Sequence, residues 1–297
     1  MNNLRKGFPH VVDDVIPKVL LLKSAKELRN GKEMQRFGAT HGQSTLLRTD
    51  DVMWLNEHTA KERGLIGTSE VISLFKQHIS TSLSKLSDNG DIQAATCILP
   101  HNFMVSHYDG EKEAFYTAHR DGSAPATYQE LWQCLVAMCK DTWRDGISAG
   151  FHTLNFAMDR FRSEKNFRTY TAILYLNVAV SSATSLATDT DTDATHEGEG
   201  EGEEVVWNVA TEGGALRCFV GAEASDTTGI TAAEVLDVSP TGGRVVMFPS
   251  RELLHAVLPT KRSRLALTAW IFSDAVLAWE MKIEISALCM CTGPMSE

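Results

Sequence analysis

Residues 243–272, GRVVMFPSRELLHAVLPTKRSRLALTAWIF, predict the C-terminal part of a β structure. Three apolar runs of strand length, separated by polar segments, lie within them: residues 244–248, 254–258 and 265–272. Pro259 and the polar residues after it predict a turn. If the flanking strands form a hairpin centred near this turn, His255 and Arg264 lie roughly opposite each other, about 5 Å apart.

His255 and Arg264 are the residues of this stretch that could carry chemistry. A histidine ring nitrogen can bind a metal. An arginine beside it could hold the far carboxylate of a short dicarboxylate bound to that metal, because its planar guanidinium suits a carboxylate better than lysine does. Thr268 shares a strand face with Arg264 and could add a hydroxyl contact. The alternatives are a buried core histidine and a solvated arginine at a hairpin.

The rest of the chain extends this pattern towards the N-terminus. Further strands are predicted at residues 92–99, 103–108, 115–121, 170–177, 215–220 and 233–238. Residues 1–92 read mainly as helix, and the clearest helix is capped by Ser69 and ends at Asn89-Gly90. Residues 126–162 look helical again. Helices followed by many short strands predict a mainly β sandwich or open barrel braced by N-terminal helices.

Composition limits the classes of partner. The formal net charge is −10, and residues 188–204, TDTDTDATHEGEGEGEE, contain most of it in a low-complexity tract that cannot bury an apolar core. The remaining chain is nearly neutral, so its charge does not favour nucleic acid or an anionic membrane. Apolar runs of spanning length and a secretory leader are lacking, which predicts an intracellular protein, cytoplasmic or nuclear.

The six cysteines are expected to be free thiols, because the chain is neither small nor visibly secreted. Cys289-Met-Cys291 could bind a metal, but no second pair of ligands lies near it in the sequence.

A His-x-Asp pair supplies the remaining candidate ligands. In a strand, His119 and Asp121 face the same side, so a distant histidine could complete a site of two imidazoles and one carboxylate. Such a site suits a non-haem iron(II) centre with open positions. His107-Tyr-Asp109 has the same spacing. Either pair could instead be an exposed polar pair at a strand end.

Four blocks in chain order carry a family resemblance. They are Tyr108-Asp-Gly…Tyr116-Thr-Ala-His119-Arg-Asp121, then Arg168-Thr-Tyr-Thr-Ala-Ile-Leu-Tyr175-Leu-Asn177, then Gly213-Gly-Ala-Leu216, and finally Gly243…Phe248…His255-Ala-Val-Leu-Pro259…Arg264-Leu-Ala-Leu-Thr268. Over residues 103–272 the sequence resembles the catalytic domain of 2-oxoglutarate-dependent prolyl 4-hydroxylases, most of all the intracellular, oxygen-sensing type.

The resemblance implies a double-stranded β-helix, or jelly-roll, core and an Fe(II)- and 2-oxoglutarate-dependent dioxygenase that also uses O2, with ascorbate as the expected reductant. It implies that the iron ligands are His119, Asp121 and His255, with no further catalytic residue. It implies that the co-substrate is bound by Arg264, Tyr175, Thr268, Tyr116 and Tyr108. The metal pair is then His119 and Asp121 rather than His107 and Asp109, because Tyr116 and Gly122 flank it as in the family.

The resemblance also implies a substrate and a domain division. We expect a prolyl residue of a protein or peptide to be hydroxylated. The alternatives are an enzyme that hydroxylates another side chain or a small molecule, and a binding module without turnover. Residues 1–92 are expected to support a dioxygenase domain at 93–280, which has inserts at about 122–167 and 178–212 and is followed by a tail at 281–297. The sequence does not predict an oligomeric state.

Overall fold

The computed structural model describes residues 7–30, 35–36, 47–90, 97–121, 168–177, 207–222 and 230–273. The strands within these residues are β1 His10–Val12, β2 Gln35–Arg36, β3 Asp51–Leu55, β4 Cys97–Ile98, β5 Phe103–Tyr108, β6 Tyr116–His119, β7 Arg168–Tyr175, β8 Leu216–Val220, β9 Glu234–Val238, β10 Val245–Pro249, β11 Leu254–Val257 and β12 Arg264–Ser273. The helices within them are α1 Lys18–Asn30, α2 Glu57–Glu62, α3 Ile66–Asp88 and α4 Val209–Glu212.

The strands form two antiparallel sheets. The larger has the order β1-β10-β7-β12-β5-β3-β2, with β4 also paired to β12, and the smaller has the order β6-β11-β8-β9. Apolar side chains of β5, β7, β10 and β12 meet those of β8, β9 and β11 in one buried cluster. Tyr116 of β6 packs against this cluster as well, so four strands of the larger sheet face the four strands of the smaller one, which confirms the predicted mainly β, jelly-roll core.

Alternation along the central strands separates this inner face from an outer one. On β12, Ala266 belongs to the cluster between the sheets, whereas Leu265 and Leu267 belong to a second cluster that α1 and α3 cover. Because side chains alternate along a strand, Arg264 and Thr268 share the inner face with Ala266. Arg264 and Thr268 therefore point between the two sheets.

The N-terminal helices are joined by a carboxylate. Glu27 of α1 accepts hydrogen bonds from the backbone N–H groups of Gly67 and Thr68, both at 2.8 Å, and from the Thr68 hydroxyl at 2.9 Å. A carboxylate is stabilised there because the first N–H groups of a helix lack partners within the helix. Ser69 as the cap of this helix was wrong, since α3 begins at Ile66 and the Ser69 hydroxyl donates to the Glu57 carbonyl. The predicted end at Asn89-Gly90 is confirmed.

The hairpin between His255 and Arg264 was also wrong. β11 pairs with β6 and β8 of the smaller sheet, whereas β12 pairs with β5 and β7 of the larger one. The turn after Pro259 carries the chain from one sheet to the other, and the cross-strand neighbour of Arg264 is Tyr108.

The N-terminal region also contributes strands. β1 extends the larger sheet beyond β10, and β3 pairs with β5, although residues 1–92 were read mainly as helix. The proposed boundaries of the three regions stay a prediction. The segments 126–162 and 188–204, and the pair Cys289 and Cys291, lie outside the described residues. Within the described residues, Cys218 is a buried free thiol, and no helix is both long and apolar enough to cross a membrane.

Candidate metal and co-substrate site

His119, Asp121 and His255 meet between the two sheets. His119 is the last residue of β6, Asp121 lies two residues beyond it, and His255 is the direct cross-strand partner of His119 on β11. One ligand atom from each residue lies within 4.8 Å of the others. In the part of the chain that the structure describes, this is the only group of three or more histidine, cysteine or acidic side chains arranged this way.

Both imidazoles are held by backbone carbonyls. His119 Nδ1 lies 2.8 Å from the Thr117 carbonyl oxygen, and His255 Nδ1 lies 3.1 Å from that of Leu253. A ring N–H at Nδ1 donates to each carbonyl, which leaves Nε2 unprotonated and able to bind a metal. Each Nε2 lies 3.6 Å from an Asp121 carboxylate oxygen. The three donor atoms therefore converge with their lone pairs available.

The electrostatics of the cluster favour metal-binding protonation states. Burial alone would raise the pKa of Asp121, but His255 and His119 outweigh it and hold the pKa well below its usual range. Burial lowers the pKa of His255 to about 4, against the opposing effect of Asp121. At neutral pH, Asp121 is ionised and His255 is neutral, which is what a metal requires of both ligands.

Arg264 is also buried between the sheets. Its side chain is 1% exposed, and its guanidinium carbon lies 4.8 Å from the centre of the Tyr108 ring and 4.9 Å from that of Tyr175. Its Nε and Nη1 groups and the Tyr175 hydroxyl are buried without a hydrogen-bond partner. An unpaired buried charge is costly, so these donors are suited to an anionic ligand.

The remaining predicted co-substrate residues occupy different positions. Tyr108 and Tyr175 are fully buried beside Arg264, and burial raises the pKa of both phenols, so each can donate a hydrogen bond at neutral pH. Thr268 lies four residues along β12 on the same inner face and is buried. Tyr116 instead stacks on the His119 imidazole, with 3.6 Å between the ring centres.

His107 faces away from this cluster. It lies on β5 one residue before Tyr108. Because side chains alternate along a strand, His107 shares the face of Phe103 and Val105, which pack in the outer cluster that the helices cover. Asp109 forms an ion pair with Lys112 at 2.6 Å. Of the two His-x-Asp pairs, the structure brings only His119 and Asp121 to the second histidine.

Several neighbours of the cluster were not singled out from the sequence. Thr171 of β7 donates a hydrogen bond of 2.8 Å to Asp121 Oδ2, and Ser250 lies 2.8 Å from the Thr171 hydroxyl. Arg168 donates to the Asp121 carbonyl at 3.2 Å while its guanidinium carbon lies 3.8 Å from the centre of the Trp270 ring. Ordinary strand and turn residues of this kind have no local sequence signal.

A second unpredicted group lies behind Tyr116. The Arg48 guanidinium carbon is 4.4 Å from the centre of the Tyr116 ring, and Arg48 Nε donates to Asp50 Oδ1 at 2.6 Å. Both members of this ion pair are buried. They precede β3, so this N-terminal segment contacts the cluster of His119, Asp121 and His255 through Tyr116.

Comparison with known proteins identifies the same part of the chain. The family model described as "2OG-Fe(II) oxygenase superfamily" matches residues 103–272. No curated protein matches the sequence.

Solved structures share the fold at low sequence identity. A prolyl-4-hydroxylase from Pseudomonas putida is 19% identical, with a TM-score of 0.50 over 92% of this chain and 96% of that one. A prolyl hydroxylase from Trichoplax adhaerens, in complex with a peptide of hypoxia inducible factor, is 16% identical, with a TM-score of 0.53 over 92% of this chain and 87% of that one.

Proposed function

The chain belongs to the 2OG-Fe(II) oxygenase superfamily and is an Fe(II)- and 2-oxoglutarate-dependent dioxygenase, and we propose that it hydroxylates prolyl residues of a protein or peptide. The match covers more than half of the sequence and includes every strand that lines the space between the sheets. We also propose that residues 93–280 form the dioxygenase domain, which the regions 1–92 and 281–297 flank.

The observation that carries the site assignment is the convergence of His119, Asp121 and His255. Two imidazole nitrogens and one carboxylate oxygen fit the facial ligand set of non-haem iron(II), which leaves three positions open for ligands. Iron(II) held by these residues would supply the oxidising chemistry of the family, in which O2 and 2-oxoglutarate are consumed, succinate and CO2 are released and the substrate gains a hydroxyl group. We assign the three side chains as the protein ligands of that iron.

Arg264 is assigned to the distal carboxylate of 2-oxoglutarate. Two of its buried N–H groups and the nearby Tyr175 hydroxyl have no partner, so a carboxylate placed between them would receive hydrogen bonds from donors that are already desolvated. Thr268, on the same face, and Tyr108, whose ring packs against the guanidinium, complete this end of the pocket. These residues bind and orient the co-substrate.

Tyr116 is proposed to hold the metal-binding end of the site rather than the far carboxylate. Its ring covers one face of His119, whose imidazole also contacts the Thr117 carbonyl, the His255 ring and the Asp121 carboxylate. Burial of His255 and Asp121 keeps bulk water away from the ligands. A rigid, dry ligand set is what directs the oxidation to a bound substrate.

The prolyl substrate is supported by the residues of the resemblance and by the two solved structures with this fold, one of which holds a peptide. Fold alone does not fix a substrate, so the assignment requires a direct test. A peptide carrying a proline should gain the mass of one oxygen atom when the protein is supplied with Fe(II), 2-oxoglutarate, O2 and ascorbate. Succinate release without any proline-dependent mass gain would redirect the search to another side chain or a small molecule.

Variants of the two His-x-Asp pairs provide the matched control. His119→Ala or Asp121→Ala should abolish succinate release, because each removes a metal ligand. His107→Ala should leave it unchanged, since His107 lies on the outer strand face. The opposite pattern would show that the wrong pair had been assigned.

A further inference from the structure

We propose that Ser250 and Thr171 form a hydroxyl relay that positions Asp121 as a ligand through a single carboxylate oxygen, Oδ1. The proposal rests on the metal assignment made above and goes beyond it to two side chains outside the ligand set. Both are positioning residues, since neither offers an atom to the ligand group.

The direction of the relay follows from counting protons. The Thr171 hydroxyl has one hydrogen, and an ionised carboxylate only accepts, so the 2.8 Å contact with Asp121 Oδ2 uses that hydrogen. Ser250 must then be the donor in its 2.8 Å contact with Thr171 Oγ1. Both hydroxyls are fully buried, so water does not compete for them.

The backbone holds both members of the relay in place. Thr171 lies in the middle of β7, between β10 and β12, where its Cα partners are Phe248 and Trp270. The Ser250 N–H donates to the Thr169 carbonyl at 3.0 Å, which ties the turn after β10 to the same strand. Thr171 is therefore fixed on a central strand and Ser250 is fixed relative to it.

The consequence for Asp121 is that its two oxygens differ. Thr171 donates to Oδ2, which also lies 3.6 Å from His255 Nε2. Oδ1 lies 3.6 Å from His119 Nε2 and 3.8 Å from Arg168 Nη1, and we assign it as the metal ligand because Thr171 uses the other oxygen. A ligand set of one carboxylate oxygen and two imidazoles would leave positions on the metal for 2-oxoglutarate and O2. A carboxylate that turned to bind through both oxygens would take the position O2 needs.

The test measures binding of Co(II) to the metal-free protein, with the visible absorption of the bound ion as a second readout. Thr171→Val keeps the shape of the side chain but removes its hydrogen bond, and should weaken Co(II) binding by about 10- to 100-fold. It should also change the absorption spectrum. Thr171→Ser restores a hydroxyl and should recover most of the affinity and the wild-type spectrum. Ser250→Ala should weaken binding to a lesser degree, because Thr171 keeps its bond to Asp121.

Controls separate a failed relay from a failed metal site. Thr169→Val removes another buried threonine hydroxyl from β7, one without a hydrogen bond to Asp121 among the described residues, and should bind Co(II) like the wild type. If Asp121→Ala binds Co(II) as well as the wild type, the metal assignment itself is overturned. If Asp121→Ala loses binding but Thr171→Val retains wild-type affinity and spectrum, only the relay is overturned. Should Thr171→Val fail to fold, wild-type binding by Ser250→Ala would overturn it instead.

Discussion

Replacing Arg264 by methionine should weaken the binding of 2-oxoglutarate without lowering the stability of the ligand-free protein. Arg264 is 1% exposed in the wild type, and two N–H groups of its guanidinium have no partner. Hydrogen bonds to a charged group contribute about 1.5–3 kcal/mol each, so two of them to a carboxylate amount to about 3–6 kcal/mol. The dissociation constant of 2-oxoglutarate should therefore rise by about 10²- to 10⁴-fold in Arg264→Met.

The same variant should not destabilise the protein without its ligands. Methionine fills a similar volume without an uncompensated buried charge, so the free energy of unfolding of the ligand-free variant should equal or exceed that of the wild type. Wild-type protein, in contrast, should gain stability when 2-oxoglutarate is added, because the ligand binds only the folded state.

Calorimetric titration with Mn(II) in place of Fe(II) measures the affinity without turnover, and urea denaturation of the metal-free protein measures the stability. Arg217→Met is the matched control, because that arginine forms an exposed ion pair with Asp237 on the smaller sheet. It should bind 2-oxoglutarate like the wild type. Unchanged affinity in Arg264→Met, or a loss of several kcal/mol of stability without ligand, would refute the role given to Arg264.

Three further predictions concern the scaffold. Glu27→Ala should lower the free energy of unfolding by about 1–2 kcal/mol, because the start of α3 loses its carboxylate partner; a urea midpoint equal to that of the wild type would contradict this. Burial lowers the pKa of His10, His78 and His107 below the usual 6.5, so the unfolded state of the metal-free protein binds more protons at mildly acidic pH. The free energy of unfolding should therefore fall as pH drops through about 6.5, by up to about 1.4 kcal/mol per pH unit for each extra proton. In His107→Gln, the free energy of unfolding measured with urea should depend less steeply on pH. An unchanged pH dependence in this variant would count against His107. Deleting residues 186–204 should leave succinate release roughly unchanged, and loss of release would give that acidic segment a role in turnover.

Residue type and spacing supplied the candidate ligands of the proposed site, whereas the choice of His119 and Asp121 over His107 and Asp109 came from the family resemblance. His119 and Asp121 lie two residues apart at a strand end, and His255 lies in a later strand-like run, so local patterns identified each of them. Their convergence depends on the pairing of β6 with β11, which joins segments that are more than a hundred residues apart. Before the structure, only the resemblance to a family brought these three residues together as one ligand set.

The errors share a physical cause, which is that local sequence does not report non-local partners. A turn after Pro259 was predicted, but turn propensity does not determine whether the next strand joins the same sheet or the opposite one. Strand β1 has three residues, and its register with β10 is set by a segment more than two hundred residues away. The start of α3 is bound by Glu27, forty residues before Gly67, rather than by the neighbouring Ser69.

Thr171 and Ser250 illustrate the same limit at the site. A threonine inside a strand and a serine after one are common, and nothing in their neighbours along the chain indicates contact with a carboxylate. Their relation to Asp121 appears only when β7, the turn after β10 and the end of β6 are placed together.

The most direct test of the central claim is an iron anomalous-difference map from crystals grown without oxygen in the presence of Fe(II) and 2-oxoglutarate. The account predicts one strong peak within bonding distance of His119 Nε2, Asp121 Oδ1 and His255 Nε2, with the distal carboxylate of 2-oxoglutarate beside Arg264. A peak at another place in the protein, or one that any of these three side chains does not reach, would contradict it.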